Sequence, residues 1–465
     1  MMNDDTIAAI ATPFGSGGIG VIRISGDKAF DIGAKIFSKT RSKPEKTPVL
    51  KSHNVYHGYI FDLKNNDVID EVLLIPMQEP RSYTTQDVIE IQAHSGTIVL
   101  RTILDLILSC GARLSEPGEF TKRAFLNNRI DLTQAEAVAD IINAKSVNAL
   151  KLAASQNLGT LKQEINDLRK ELINFLSLIE VNIDFKEDAQ SFNPFDKKIE
   201  LIDFILEKCR EFIKQHDNAC FLKDGIRITI CGGPNVGKSS LMNRLLDQDR
   251  SIVTAIPGTT RDPVEEGLNI DGIPFVISDT AGIHQTDDLV EIIGIEKAKN
   301  HINTADIVLF MKEPDSLFDN KEFEKILPPD IQKYVKIIFV VNKIDLKDKK
   351  LPELSKKYQH IPKIKISALL NSGIKELKQK IVNTCIADLD IIKSSIIPNL
   401  RHKKALEKAV VSLETIKEGL VHSIEEEEML AIDIKTSIDA LGTITGETAP
   451  LDILDNIFNN FCIGK

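Results

Sequence analysis

Residues 232–239 read Gly232-Gly233-Pro234-Asn235-Val236-Gly237-Lys238-Ser239, residue types and spacing suited to wrapping a phosphate chain. Glycines let successive backbone N–H groups turn inward, the lysine neutralises β/γ-phosphate charge, and the next hydroxyl offers a ligand to Mg²⁺. Further pieces follow in an order that lets them converge: Thr259-Thr260-Arg261-Asp262, Asp279-Thr280-Ala281-Gly282, Asn342-Lys343-Ile344-Asp345 and Ser367-Ala368-Leu369. Thr260 can complete the Mg²⁺ shell, Asp279 can hold that ion through water, and the Gly282 N–H can reach the γ-phosphate. Asp345 can accept from guanine N1–H and the 2-amino group at once, and adenine lacks both donors. The backbone at Ser367 and Ala368 can meet the guanine oxygen. Each piece alone is weak. Together they predict a GTP-binding domain.

Hydrolysis needs a group that orients water. After Asp279-Thr280-Ala281-Gly282 comes Ile283, where Ras-like enzymes carry a glutamine, and an aliphatic side chain cannot orient water. Glu291 is the candidate in its place, and it reads equally well as a carboxylate on a helix surface. An arginine finger is also missing. The Asn235 side-chain oxygen can help hold a monovalent cation between the phosphates, putting positive charge where the transition state needs it. Asn235 as a residue that only shapes the turn is the equal alternative.

These residues need strand ends and helix starts to hold them. The apolar runs Ile226–Ile230, Phe275–Ser278, Ile337–Val341 and Ile364–Ile366 predict strands, and Ser240–Leu246 predicts the helix after the phosphate loop. Residues 1–119 alternate short β-like runs (Ile19–Ser25, Val72–Pro76, Val88–Ala93) with one helical segment, Thr97–Ser109. From Phe120 the pattern turns to long helices, Leu132–Val147 and Leu161–Ile183, with apolar residues three and four apart. Helix returns from His402 to about Leu441, and Asp452–Phe461 reads as a short one. The acidic run Glu425–Glu428 and the trio Arg401, Lys403, Lys404 read as solvated helix faces, the trio alternatively as a local basic surface. The simplest architecture is α/β plus all-α, with one α/β domain inserted into a helical one. Its boundaries are 1–119 for an N-terminal α/β domain, 120–215 and 381–465 for the two helical halves, and 216–380 for the inserted domain.

Composition narrows the class. A chain of 465 residues is too long for one core, and its net charge of −10 argues against a globally basic nucleic-acid binder. No apolar stretch approaches the roughly 20 residues that span a bilayer. The acidic opening Met1-Met2-Asn3-Asp4-Asp5 lacks the features of a signal peptide, so a cytoplasmic protein is expected. The six cysteines (110, 209, 220, 231, 385, 462) form no CxxC pair, which fits reduced thiols and gives no zinc site. The ending Cys462-Ile463-Gly464-Lys465 lacks the aliphatic pattern of a prenylation box.

Three further segments carry a resemblance. Asp5-Thr6-Ile7-Ala8-Ala9-Ile10-Ala11-Thr12-Pro13 with Gly17–Gly26 resembles the opening of the MnmE (TrmE) family of tRNA-modification GTPases. So does Pro117-Gly118-Glu119-Phe120-Thr121, running through Arg123–Asn127 to Asp131-Leu132-Thr133-Gln134-Ala135-Glu136-Ala137. The terminal Phe461-Cys462-Ile463-Gly464-Lys465 is similar to that family's ending. The resemblance implies an N-terminal folate-binding domain that makes a homodimer, a central helical domain, and an inserted Ras-like P-loop G domain with a doubly wound sheet. It implies work with the flavoprotein MnmG in a heterotetramer. The pair would place an aminomethyl-type group, such as carboxymethylaminomethyl, on C5 of the wobble uridine of certain tRNAs. The carbon donor would be 5,10-methylenetetrahydrofolate, with FAD on the partner. A ribosome-assembly or RNA-binding switch without modification activity is the alternative, and no membrane partner is expected.

Carried over by position, nucleotide contacts would come from Asn235, Val236, Gly237, Lys238, Ser239, Ser240, Thr254, Ala255, Ile256, Pro257, Gly258, Thr259 and Thr260. They continue through Asp279, Thr280, Ala281, Gly282, Asn342, Lys343, Asp345, Ser367 and Ala368. Mg²⁺ would lie on Ser239 and Thr260, K⁺ on Asn235, Thr254, Ile256 and Thr259, and Glu291 would be catalytic. Folate would meet Arg23, Glu90, Arg129 and Lys465, a carboxylate suiting the paired donors of a pterin edge and cations the glutamate tail. Without the resemblance, Arg23 and Arg129 read as surface ion pairs. Departures from the family pattern are Gln86, Ala93-His94-Ser95-Gly96, Arg129 where lysine is common, Pro257 and His284. Ala93 leaves no thiol at its position.

Overall fold

The structure, a computed structural model, describes residues 5–13, 15, 17–42, 48–144, 146–184, 195–219, 225–233, 235–249, 265–279, 302–314, 318–329, 332, 334–346, 352–385, 396–422, 427–459 and 461–465. The chain forms two compact units. One comprises Met1–Ala139, Gln156–Cys209 and Lys404–Lys465, the other Asp140–Ser155 and Arg210–Lys403.

The first unit begins with β1 (Ile7–Ile10), β2 (Ile19–Ser25), α1 (Ala29–Ile36), β3 (Phe37–Ser38), β4 (Tyr56–Phe61), β5 (Val68–Met77), β6 (Val88–His94), α2 (Thr97–Ser109) and β7 (Arg113–Leu114). Its sheet runs β3-β4-β5-β6-β2-β1-β7, antiparallel except for β1 with β7. Two-residue periodicity decides what each face carries. Ala8, Ile10, Ile22, Ile24, Ile89 and Ile91 enter the core under α1 and α2. The alternate residues Ile7 and Ala9 pack instead with Phe120 and Tyr83. Arg23 and Glu90, paired across β2 and β6, fall between core isoleucines and so lie on that second face. The sequence predicted one helix in this region. The structure has two, because α1 is only eight residues long and its internal Gly33 weakens the helical signal.

Helices follow: α3 (Glu119–Leu126), α4 (Leu132–Asn143), α5 (Val147–Asn157), α6 (Thr160–Asp184) and α7 (Phe195–Ala219). The single helical pattern Leu132–Val147 is thus divided between α4 and α5. Asp131 starts α4 with a reciprocal cap: its Oδ1 accepts from Gln134 N at 2.8 Å and Thr133 Oγ1 at 2.7 Å, while Gln134 Oε1 accepts from Asp131 N at 3.1 Å. No helix among the described residues is long and apolar enough to cross a membrane.

The second unit contains β8 (Ile226–Gly232), α8 (Lys238–Asp249), β9 (Glu265–Ile270), β10 (Ile273–Asp279), β11 (Ile307–Lys312), α9 (Asn320–Ile326), β12 (Lys336–Val341), β13 (Lys363–Lys365) and α10 (Ile374–Cys385). The sheet order is β13-β12-β11-β8-β10-β9, parallel except for the edge strand β9. Both faces are covered. Ile307, Leu309 and Met311 join Leu241, Leu245, Leu377 and Ile381 from α8 and α10, while Val308 and Phe310 join Phe323 from α9. This is a doubly wound P-loop G domain. The chain ends with α11 (Leu400–His422), α12 (Glu427–Thr445) and α13 (Leu451–Asn459), so the helical pattern from His402 resolves into two helices before the short one.

Candidate functional site

In an open parallel sheet, ligands gather at the carboxyl ends of the strands. There β8 runs into the loop at 232–237 and α8 starts at Lys238. Gly237 has φ +93°, and a Cβ on it would lie 2.3 Å from Asn342 Nδ2, so only glycine fits. Asn235 is exposed with φ 58°, a left-handed conformation that asparagine tolerates, so it does shape the turn. Lys238 Nζ donates to the loop carbonyls of Gly232 at 3.2 Å and Gly233 at 2.9 Å, which holds the ammonium against the loop.

At the other end, β12 delivers Asn342, Lys343 and Asp345. Asn342 is 2% exposed. Its Nδ2 donates to Val236 O at 2.9 Å and its Oδ1 accepts from Ala368 N at 3.0 Å, so one side chain ties the phosphate loop to the loop after β13. Asp345 Oδ1 accepts from Ser367 Oγ at 2.5 Å. Lys343, at φ 65°, pairs through Nζ with Glu313 Oε1 at 2.6 Å. Between these ends lies a cleft of about 660 Å³, lined by Gly237, Ser240, Asn243, Arg244, Asn342 and Asp345 among others. Gly237 and Ser240, at the N-terminus of α8, line one end, with the Lys238 ammonium held against the same loop, and the Asp345 carboxylate lines the other. That donor set fits a guanine nucleotide.

Ser239 and Ser240 are exposed in the first turn of α8. Asp279 ends β10 in register with Ile230 of β8. Thr254, Ala255, Ile256, Pro257, Gly258, Thr259, Thr260, Thr280, Ala281, Gly282 and Glu291 lie outside the described residues, as does the side chain of Asp279. Arg244 was not foreseen. It carries no motif signal beyond standing one turn after Ser240 on α8.

The first unit gathers the other set. Arg23 meets Glu90 Oε1 with Nε at 2.8 Å and Nη2 at 2.7 Å, and Glu90 Oε2 takes no part in that pair. The Arg23 guanidinium lies 5.2 Å from the Tyr83 ring centroid and 5.5 Å from that of Phe120. Arg129 donates from Nη1 to Tyr83 O at 2.9 Å and lies 5.0 Å from the same ring. Tyr83 was also missed, because its part is to stand between two arginines that are distant in sequence. The C-terminal tail closes over α3: Phe120 N donates to Lys465 O at 3.1 Å, and Gly464, at φ +92°, leaves a Cβ no room beside Ile10 O. Burial pushes the Lys465 ammonium below the usual lysine range and the Arg23 charge adds to this, while Cys462 and Glu90 oppose it. All four residues named for folate therefore fall in one unit, with Glu90 and Lys465 beside Arg23 and with Arg129 against the Tyr83 ring that Arg23 also meets. The three cations, one carboxylate oxygen and aromatic rings suit a flat heterocycle with an anionic tail.

Beneath this cluster, Glu119 is bound by Arg113 Nη2 at 2.6 Å and Arg123 Nη2 at 3.0 Å, and both arginines also meet Asp5. Gln86, a departure from the family pattern, accepts from Arg123 Nη1 at 3.1 Å and so keeps that arginine served without a charge. His94 of the altered segment pairs with Asp70 at 2.7 Å. Burial pushes the Cys209 and Cys231 thiols up to about 12, whereas Cys462 is exposed. Of the basic trio, Lys403 pairs with Asp217 at 2.6 Å, so its charge is engaged within its own unit.

The chain is similar along its whole length to curated proteins. The model of the "GTP-binding protein TrmE N-terminus" matches residues 6–129, and that of the "MnmE helical domain" matches 132–462. The tRNA modification GTPase MnmE of Acetivibrio thermocellus is 43% identical over 467 residues, covering 100% of both chains. That of Carboxydothermus hydrogenoformans is 43% identical over 469 residues, again covering 100% of both. A Thermoanaerobacter protein of the same name is 42% identical over 466 residues, 99% of each. Among solved structures, Aquifex aeolicus Era bound to GDP and an aluminium fluoride is 27% identical over 40% of this chain and 66% of that chain, at a TM-score of 0.27. The motifs of the cleft, the G-domain sheet and these full-length matches agree, and the chain belongs to the MnmE (TrmE) family of tRNA modification GTPases.

Proposed function

We propose that this GTPase is activated by potassium and works as a homodimer with the flavoprotein MnmG, in a cytoplasmic heterotetramer that modifies C5 of wobble uridine in certain tRNAs. The product is an aminomethyl-type group such as carboxymethylaminomethyl. The organisation is an N-terminal folate-binding and dimerisation domain at 1–119, helical halves at 120–215 and 381–465, and a G domain at 216–380. Strands β1–β7 falling within the first range and β8–β13 within the G-domain range support that division.

In the G domain, Asp345 would accept from guanine, Lys238 would neutralise phosphate charge, and Ser239 and Thr260, with Asp279 near them, would hold Mg²⁺, which would offset charge on the phosphates. Contacts along Val236, Gly237, Ser240, residues 254–260, Thr280, Ala281, Gly282, Asn342, Lys343, Ser367 and Ala368 complete the pocket. Glu291 orients the attacking water, which Ile283 cannot do. Potassium held by Asn235, Thr254, Ile256 and Thr259 would supply the charge that an arginine finger supplies elsewhere. In the first unit, Arg23, Glu90, Arg129 and Lys465 bind 5,10-methylenetetrahydrofolate, with FAD carried by the partner.

The observation that carries this reading is the coexistence, in one chain, of a guanine-type cleft and a separate cation-rich cluster; an assembly switch has no use for the second. The test is mass spectrometry of wobble nucleosides in tRNA from cells lacking the protein. The modified uridine should vanish, return with the wild-type gene, and stay absent with Glu291→Ala, whose GTP turnover should fall at least about tenfold with binding kept. Equal turnover in potassium and sodium salts at matched ionic strength would sink the cation role.

A further inference from the structure

Arg244 on α8 reaches across the cleft to the loop after β13. Its Nε donates to Ala368 O at 2.9 Å and its Nη2 to Leu369 O at 3.1 Å. These are two donors from one edge of a planar guanidinium, set on two consecutive carbonyls. We propose that Arg244 is a positioning residue for base selectivity, fixing the Ala368 and Leu369 peptide planes so that the Leu369 N–H is aimed at the oxygen on C6 of guanine.

The physical argument rests on peptide geometry. A trans peptide points its C=O and the next N–H in opposite directions. Holding Ala368 O therefore sets the direction of the Leu369 N–H, and holding Leu369 O does the same for Leu370, whose N–H donates to Ser367 Oγ at 3.1 Å. That hydroxyl is the one bound to Asp345. On the other side, the Ala368 N–H meets Asn342 Oδ1. The loop is thus gripped by Asn342 and Ser367 from within the base pocket and by Arg244 from the helix that begins at the phosphate loop. Ser240, Asn243 and Arg244 share one edge of α8 at helical spacing and line the cleft together, while Leu241 and Leu245 on its other side fill the core. A lysine cannot reproduce the grip, because its ammonium lacks the flat two-pronged edge.

The inference rests on the reading of this cleft as a guanine pocket, and the experiment separates the two. Full-length protein and its Arg244→Ala and Arg244→Lys variants are titrated calorimetrically with GDP and with 6-thio-GDP, whose sulfur is a poor acceptor at C6. Wild type should prefer GDP; no preference would refute the reading of the loop itself. Arg244→Ala should weaken GDP about tenfold, the worth of about one hydrogen bond, and 6-thio-GDP by much less. Arg244→Lys should fall between. Equal weakening of both nucleotides, or no weakening of GDP, would overturn the proposal, because a merely structural arginine does not distinguish an oxygen from a sulfur.

Discussion

Asp345→Asn tests the base end of the cleft most directly. Asp345 Oδ1 is already engaged by the Ser367 hydroxyl at 2.5 Å. In the variant, that hydroxyl selects the carbonyl oxygen of asparagine for the same place, so the amide NH₂ replaces Oδ2. One of guanine's two donors then meets a donor, and the other meets a neutral oxygen instead of a charged one. Hydrogen bonds to a charged group contribute about 1.5–3 kcal/mol net, against about 1 kcal/mol for a neutral pair. Losing one and weakening the second should cost about 2–4 kcal/mol, or roughly thirty- to a thousandfold in the GDP dissociation constant. Xanthine presents an oxygen where guanine has its 2-amino group, so XDP matches the new amide at both positions. Calorimetry with GDP and XDP on the full chain reads both effects. A GDP affinity within threefold of wild type would refute the assignment, as would an XDP-to-GDP ratio that does not shift.

Two further outcomes follow from the first unit. Burial alone would raise the Glu119 carboxyl, but hydrogen bonds from Arg113, the Glu116 N–H and Arg123 outweigh it and hold the group below its usual range. A depressed folded-state pKa gives stability that is full above the unfolded value near 4.5 and is lost as pH falls through the folded one. Glu119→Gln should therefore cost about 2–4 kcal/mol at neutral pH, and its stability should approach that of wild type only as the pH falls below 4.5 and through the depressed folded-state value; a gap that stays constant as the pH is lowered would be contrary. Gly464→Ala forces a Cβ to within 2.5 Å of Ile10 O at φ +92°, a strain of about 1–3 kcal/mol. It should unseat Lys465 and abolish tetrahydrofolate binding in calorimetry while sparing GTP turnover, and undiminished folate binding would remove Lys465 from the site.

The G-domain strands were legible because each is a short apolar run ending in a motif. Buried parallel strands need no alternation, so Ile337–Val341 and Ile226–Ile230 could be placed within about two residues of their ends, the usual uncertainty of such boundaries. The phosphate loop was legible for a stricter reason: Gly237 is demanded by both φ and Asn342. Asp140–Ser155 was not. Asn148 donates to Gly272 O at 3.1 Å and Leu152 enters the G-domain core, yet helical periodicity says only that some face is buried, not against what. Arg244 and Tyr83 were hidden likewise, since each works by touching backbone or charges more than a hundred, or several tens of, residues away.

The cation-rich cluster has an energetic logic that the sequence could not display. Lys465 is half-buried beside Arg23, and each charge disfavours the other. Glu90 offsets this in part, but its Oε1 serves both donors of Arg23, and Arg129 brings a further cation to the same Tyr83 ring. Positive charge is thus gathered in excess and held by packing, with Gly464 against Ile10 and Phe120 N on Lys465 O fixing the tail. Such an arrangement costs stability in the free protein and recovers it on binding an anion, by an amount that grows with the logarithm of ligand concentration over its dissociation constant. Under the folate reading, the glutamate tail supplies that anion and Glu90 Oε2 meets the pterin. The tail of the chain then becomes ordered by the ligand as much as the ligand by the tail, so folate should raise the melting temperature of wild type and leave Gly464→Ala unmoved.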